Sequence, residues 1–124
     1  MRQFKRSERI RSQMLRDIQS LLEHETAAKL ESLVTFTDVE ITSDLKFAKI
    51  FYSVLGDDKA KEKTSNYLGK IRGRVQAQLG RMLRIKYTPE ITFEFDPSIE
   101  RGMRIEKLLN DISRDNDSED KKNS

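Results

Sequence analysis

Cysteine is absent from the 124-residue sequence, and histidine occurs once, as His24. The lack of cysteine excludes disulfides and thiolate metal sites, and it fits a reducing compartment. His24 has no second imidazole with which to share a metal, so it is interpreted as a solvated side chain near the end of a helix. Phosphate-binding loops, serine-hydrolase motifs and Cys/His pairs are also missing. We therefore expect no enzymatic activity, no metal and no cofactor.

Long apolar runs are also missing. No stretch approaches the roughly 18 consecutive apolar residues of a membrane span, and the opening MRQFKRSERI has no apolar core of a secretory signal. The length suits one domain, and no linker rich in proline, glycine or serine divides it. We expect a cytoplasmic monomer with no membrane partner and no small-molecule substrate. Its domain should span residues 1–113, and the polar stretch 114–124 should be a disordered tail.

Charge, by contrast, is plentiful and unevenly distributed. Charged residues make up 36% of the sequence, although the net charge is only +3. Residues 1–16 contain Glu8 as their only acid among several bases, and residues 69–86 contain bases and no acid at all. A local basic surface attracts polyanions even when the total charge is small. Nucleic acid is therefore the leading class of partner.

The candidate phosphate-binding residues come from these two basic segments. Spacings of seven and three place Arg74, Arg81 and Arg84 on a shared helical face, where planar guanidinium groups suit phosphates. The alternatives are an ordinary solvated helix for the second segment and a mobile, solubilising end for the first. The predicted RNA-binding residues of the two segments are Arg2, Lys5, Arg6, Arg9, Lys70, Arg72, Arg74, Arg81, Arg84 and Lys86.

Apolar spacing predicts a helix followed by a β-hairpin. The helix is expected to begin at the capping residue Ser7 and to end near His24. Its apolar stripe consists of residues three and four apart, namely Ile10, Met14, Ile18, Leu21 and Leu22. LVTFTDVEI and LKFAKIFYSVL then alternate as strands do, with the polar turn TSD between them. The alternation shifts between Phe36 and Val39, which predicts a β-bulge or an end of pairing.

A second helical region and a third strand follow. Asp57 or Asp58 is expected to cap a segment that keeps helical period for about 25 residues. Gly69, Gly73 and Gly80 interrupt this segment, so it is predicted to break near residues 69–73 into two helices. TPEITFEF reads as a strand, and a short helical stripe begins at about residue 99.

This element order, α-β-β-α-α-β, predicts an α+β fold of the type II K-homology kind. The hairpin strands pair antiparallel, and the helical crossover allows the third strand to pair in parallel. Helices then pack on one face of a three-stranded mixed sheet. The glycines between the helices do not have the GxxG spacing with which K-homology domains clamp a nucleic-acid backbone, so that mode of binding is disfavoured.

Two other classes of function remain open from the residues alone. Asp38, Glu40 and Asp44 are the candidate ligands of a metal-dependent nuclease, although a solvated strand face explains them more simply. The other class is a protein-interaction adaptor whose basic face meets an acidic protein and is not specific for RNA.

Three stretches of the sequence resemble the bacterial ribosome-binding factor A family, over roughly residues 4–112. They are RSERIRSQMLRDIQSLL in the first helix, VTFTDVEITSDLKFAKIFYSVLGD across the hairpin and LGRMLRIKYTPEITFEFDPSIERGMRIEKLL near the C-terminus. The most specific pattern is Asp-x-Ser-x-x-x-Gly-x-Arg-Ile in the last stretch. The resemblance implies a K-homology-like fold and binding to the free small (30S) ribosomal subunit and its 16S rRNA near the decoding region.

The resemblance also implies a role without catalysis in late subunit assembly. That role includes maturation of the 5′ end of 16S rRNA, especially in the cold. The family usually has Ala-x-Gly at the kink between the two helices, whereas this sequence has Ile71-Arg72-Gly73. Gly73 is retained, so it is predicted to be the structural residue of that kink.

The pattern DPSIERGMRI gains a role from the resemblance. Asp96 and Ser98 are expected to end the third strand and cap the next helix. Gly102 is expected to let a backbone approach closely, and Arg101 and Arg104 to project towards phosphate. In the alternative interpretation Gly102 is merely tolerated and Arg104 pairs with a neighbouring glutamate.

The two interpretations of Arg104 differ in the outcome of Arg104→Glu. If the side chain faces phosphate, the variant should lose affinity for small subunits while its unfolding free energy changes little. Binding to purified subunits and chemical denaturation measure the two quantities. Equal losses of binding and stability would favour the intramolecular ion pair.

Overall fold

The structure, a computed structural model, describes residues 2–98, with side chains from residue 6 onward. The elements are α1 (Arg2–Leu30), β1 (Leu33–Ile41), β2 (Phe47–Leu55), α2 (Asp58–Leu83) and β3 (Glu90–Phe95). The three strands form one sheet in the order β1-β2-β3. Within residues 2–98, neither helix is both long and apolar enough to cross a membrane.

The sheet is mixed, as the sequence predicts. β1 and β2 pair antiparallel from Leu33 opposite Leu55, and β2 and β3 pair in parallel. The register between β1 and β2 shifts at Phe36/Asp38, which confirms the predicted bulge. The hairpin turn closes with the Thr42 amide donating to the Phe47 carbonyl at 3.0 Å. The α+β class with a three-stranded mixed sheet is therefore confirmed.

Both helices cover the same face of the sheet. Alternate strand residues point towards them, and the buried apolar strand side chains are Val34, Phe36, Val39, Ala48, Ile50, Tyr52, Val54 and Ile91. The helices add the buried side chains Met14, Ile18, Leu22, Leu30, Leu68, Val75 and Leu79 to the same cluster. Each large side chain buried in this way stabilises the fold by about 1.5–3 kcal/mol. This burial, rather than helix propensity, determines where the two helices lie.

α1 is longer than predicted at both ends. It begins at Arg2 rather than at Ser7 and continues past His24 to Leu30. The extension follows from Thr26, whose hydroxyl donates to the Leu22 carbonyl at 2.8 Å and is fully buried. Leu22, Thr26 and Leu30 therefore continue the buried stripe at a spacing of four. The helix ends where Glu31 adopts a left-handed φ of 52°.

α2 is one helix, so the predicted break near residues 69–73 is wrong. Asp57 caps it, because its Oδ1 accepts from the Ala60 amide at 2.8 Å, which confirms the predicted capping site. Gly69 and Gly73 are exposed, and a Cβ at either would meet nothing within 4 Å. Their cost of about 1 kcal/mol each is outweighed by burial on the opposite side of the helix. The described order is thus α-β-β-α-β.

Gly80 differs from these two glycines because the chain approaches it closely. A Cβ at Gly80 would lie 2.6 Å from Thr88 Oγ1, which is too close for an ordinary contact. The helix ends at Arg84, in a left-handed conformation with φ 52°, and the chain turns back towards β3. The missing side chain of Gly80 therefore allows this turn to pack against α2.

α1 and α2 run antiparallel and are joined by a cluster that we call the Glu25 clamp, comprising Glu25, Tyr67 and Arg74. Glu25 Oε2 accepts from the Tyr67 hydroxyl at 2.8 Å and from Arg74 Nη2 at 2.7 Å. The hydrogen bond from Arg74, with a smaller one from Tyr67, holds the pKa of Glu25 below its ordinary value. Burial and the same carboxylate raise the pKa of the Tyr67 hydroxyl.

The three glycines of α2 should respond differently to alanine. Gly69→Ala and Gly73→Ala should each raise the unfolding free energy by about 0.5–1 kcal/mol, since the helix gains propensity without a clash. Gly80→Ala should be destabilising, and adding Thr88→Ala should recover much of the loss. Urea denaturation measures all four variants. A loss of stability at Gly73 would mean that the helix depends on its glycine there.

The Glu25 clamp should make stability depend on acid pH. Because the folded pKa is lowered from 4.5, the contribution is fully present above that value and is lost as the pH falls through the folded pKa. At neutral pH, Glu25→Gln should therefore cost about 1 kcal/mol, and the difference should shrink at an acid pH below 4.5, where the carboxyl becomes protonated in the folded state. Denaturation curves at both pH values measure it, with the exposed Glu40→Gln as control. A difference independent of pH would contradict a charged clamp.

Candidate nucleic-acid interface

Antiparallel packing brings the start of α1 and the end of α2 to the same end of the molecule. A groove of about 600 Å³ there is lined by Arg6, Arg9 and Arg16 from α1 and by Leu83 and Ile85 from the end of α2. A second groove, of about 420 Å³, shares Arg6 and extends to Lys46 in the hairpin turn and to Lys86. We call this surface the basic end; its cations are Arg6, Arg9, Arg16, Lys46, Arg81, Arg84 and Lys86, all exposed.

Three separate parts of the chain therefore contribute cations to the basic end. They are the first half of α1, the turn between β1 and β2, and the end of α2 with the residues that follow it. Arg6 belongs to both grooves, so the two grooves form a continuous surface. Convergence of this kind raises the local potential well above what a net charge of +3 suggests.

Two acids, Glu8 and Asp44, also line the grooves of the basic end, and both are engaged by other groups. Glu8 accepts from Arg11 at 3.0 Å, and Arg11 also reaches Asp38 on β1 at 2.6 Å. Glu8 and Asp38 together raise the pKa of Arg11, which is thereby held in the fold. Asp44 accepts from the Thr42 hydroxyl at 2.6 Å, and this bond, with one from the Lys46 amide, lowers its pKa.

The helix dipoles add to the asymmetry of charge. The N-terminus of α1 carries the positive end of its dipole and has no acid in its first turn. Basic side chains at a helix start are repelled by the positive end of the dipole, and a bound anion reduces this repulsion. At the end of α2 the negative end of the dipole favours Arg81 in the last turn.

The structure divides the predicted residues of α2 into two groups. Arg72 is half-buried, and its Nη1 donates to the Ile91 carbonyl at 3.3 Å, so it fastens α2 to β3. Arg74 pairs with Glu25 rather than sharing a free face with Arg81 and Arg84 as expected. Lys70 is exposed but lies at the opposite end of the helical layer, beside the end of α1.

Several predicted residues lie outside the described side chains. These are Arg2, Lys5, Arg101, Gly102 and Arg104, and the helix expected after residue 99 lies outside as well.

Asp96 follows the end of β3, as predicted. Its amide donates to the Tyr52 carbonyl at 2.7 Å, and its Oδ2 accepts from the Thr37 hydroxyl at 2.8 Å. Its Oδ1 accepts from the Ser98 amide at 2.9 Å, the bond that a capping residue makes. Gly73 lies exposed in a continuous helix and marks no kink.

Sequence reasoning omitted two cations of the basic end, Arg16 and Lys46. Arg16 follows Arg9 by seven residues, so helical spacing alone places them on one face. Lys46 lies in a turn, and nothing local to it indicates that α1 lies nearby. Only the packing of the hairpin beside α1 brings it next to Arg6.

The carboxylates of the nuclease alternative do not converge. Asp38 is held by Arg11, Asp44 caps the hairpin turn, and Glu40 is exposed on β1. Between residues 6 and 98, no three acidic or histidine side chains form a group that could hold a metal ion.

Known structures share this architecture. Ribosome-binding factor A from Thermus thermophilus matches with a TM-score of 0.60 at 18% identity, over 71% of this chain and 93% of that one. A Thermotoga maritima protein proposed to be a ribosome binding factor A matches with a TM-score of 0.52 at 26% identity. This match covers 71% of this chain and 80% of that one. A homology model of the Thermus thermophilus factor, fitted into a cryo-EM map of a complex with the 30S subunit, matches with a TM-score of 0.54 at 18% identity. The match covers 74% of this chain and 92% of that one.

The sequence itself carries the family assignment. The sequence model of ribosome-binding factor A matches residues 6–109 of the 124, which include α1 from Arg6 onward, all of α2, the whole sheet and the DPSIERGMRI pattern. The fold and this match agree with the resemblance in the three stretches described above. The chain belongs to the ribosome-binding factor A family.

Proposed function

We propose that this protein binds the free small ribosomal subunit in the cytoplasm and holds 16S rRNA during late assembly, including maturation of its 5′ end. The observation that carries the proposal is the convergence of cations from three parts of the chain at the basic end. The family assignment names the ribosome as the partner, and the fitted Thermus thermophilus factor belongs to a 30S complex.

Phosphate oxygens are the groups that the basic end suits best. Arg6 and Arg9 are exposed and form no ion pair with another described residue, so their guanidinium groups are available for bidentate contacts. The apolar side chains Leu83 and Ile85 form the wall between them and the end of α2. Such a surface fits a folded RNA backbone, whose recognition depends on shape and phosphate contacts.

The mechanism needs no catalytic group. A protein that neutralises several phosphates displaces condensed counterions, and this release supplies much of the binding free energy. Bound in this way, it stabilises one local arrangement of the RNA against others, since a ligand favours the state to which it binds better. Release then follows when maturation changes the RNA surface. The roles of Arg101, Arg104 and Gly102 in this contact remain predictions.

Removing two cations of the basic end should make binding less dependent on salt. For Arg6→Gln/Arg9→Gln, the slope of log affinity against log salt should become shallower by about 2, and affinity should fall. Binding to purified small subunits at several salt concentrations measures both. Lys49→Gln/Lys59→Gln removes the same charge from exposed positions outside the basic end, where Lys49 pairs with Glu94 at 3.3 Å, and should leave the slope unchanged.

Two outcomes would contradict the proposal. If both double variants bind with equal affinity and slope, phosphates are not bound at the basic end. If binding is insensitive to salt and persists on ribosomal proteins stripped of RNA, the chain is the adaptor considered above. In cells, the protein should sediment with free small subunits and not with complete ribosomes, and its loss should leave 16S rRNA with an unprocessed 5′ end.

A further inference from the structure

A second basic groove lies at the opposite end of the helical layer. It has a volume of about 330 Å³ and runs between the last turn of α1 and the first half of α2. We call it the lysine groove; it is lined by Lys29, Leu30, Lys63, Asn66, Tyr67 and Lys70. No acidic side chain belongs to this lining.

The lysines of this groove are available to a ligand. Lys29, Lys63 and Lys70 are all exposed, and none makes an ion pair with another residue in the described part of the chain. Glu25, the carboxylate that contacts Tyr67 of this lining, is held by Arg74 and Tyr67 in the Glu25 clamp. Its charge is compensated by Arg74, so the clamp does not repel an anion bound beside it.

The groove is rigid because its walls are two packed helices. Lys63, Asn66 and Lys70 are spaced by three and four along α2 and therefore share one face. Lys63 and Lys70 lie about 10 Å apart along the helix axis. The Tyr67 ring between them is fixed by its hydroxyl, which donates to Glu25 at 2.8 Å. The array of cations, amide and aromatic ring is thus set before any ligand binds.

The chemistry of the lining favours RNA over an acidic protein. The three lysines bind phosphate as point charges. An aromatic ring beside the cations offers a surface for a base or a sugar, and the Asn66 amide offers both a donor and an acceptor.

We infer that the lysine groove binds a second RNA segment, so that the protein bridges two parts of the rRNA. The inference rests on the proposed function and names a further contact for it. Along α2, about 16 Å separates Lys70 of the groove from Arg81 of the basic end, and about 30 Å separates Lys63 from Leu83, so the two basic surfaces contact separate stretches of RNA backbone. One rigid body holding both stretches fixes their distance, and each contact strengthens the other through effective concentration.

The test compares two matched pairs of lysine substitutions in the full-length protein. Lys63→Gln/Lys70→Gln removes two charges from the lysine groove. Lys49→Gln/Lys59→Gln removes two from exposed positions outside its lining, of which Lys49 is paired with Glu94 at 3.3 Å. The salt slope for binding to purified small subunits should become shallower by about 2 for the first pair and should not change for the second. Thermal unfolding of both variants checks that the fold is retained.

Ultraviolet crosslinking of the complex then identifies what occupies the groove. Crosslinks from the peptide that contains Tyr67 to rRNA nucleotides, lost in the groove variant, are the expected result. Crosslinks from this peptide to a ribosomal protein alone would overturn the inference in favour of a protein partner.

The outcomes also separate this inference from the proposed function. If the groove variant binds as the control does while Arg6→Gln/Arg9→Gln loses affinity, the second contact is excluded and the proposed function stands. If both variants bind as the control does, both proposals fail. If only the groove variant loses affinity, RNA binding through the basic end is wrong.

Discussion

The burial of both helices against one face of the sheet is the constraint on which the rest of the structure depends. The stripe of Met14, Ile18 and Leu22 on α1 and that of Leu68, Val75 and Leu79 on α2 meet the same strand residues. Only an antiparallel arrangement of the helices satisfies both stripes with the observed connections. The same arrangement gathers like charges at the basic end, where they repel one another. The core supplies the free energy that holds them there, because apolar burial exceeds the repulsion of solvated surface charges.

Much of the fold could be predicted because its signals are local. The alternation in β1 and β2 gives the strands, the change of parity between Phe36 and Val39 gives the bulge, and Asp57 marks the start of α2. The predicted end of α1 was wrong because a polar residue type does not always mean an exposed position. Thr26 reads as polar, yet its hydroxyl is satisfied by the preceding turn, and it is buried like an apolar residue.

The candidate site could be predicted only in part, because charge in a sequence does not show which charges are paired. Residues 69–86 read as an uninterrupted basic run, and the carboxylate that neutralises Arg74 comes from Glu25 in another helix. Arg72 is engaged by a backbone carbonyl of β3, which no sequence pattern reveals. Packing thus engages Arg72 and Arg74 within the fold and leaves Lys63, Lys70 and Arg81 exposed, without an ion pair to a described residue.

The positions of the two cation-bearing surfaces suggest a reason for the exposed glycines in the middle of α2. Gly69 and Gly73 neither break the helix nor relieve a contact, since a Cβ at either position meets nothing within 4 Å. The fold alone would be more stable with alanine there, by about 1 kcal/mol at each position. Both are exposed: Gly69 lies beside Lys70 of the lysine groove, and Gly73 lies between Lys70 and Arg81 of the basic end. In the bridging arrangement that we infer, this stretch is the surface nearest the RNA between its two contacts. Glycine at these two positions lets a backbone approach α2 closely, and the unbroken course of the helix keeps the two basic surfaces at a fixed distance.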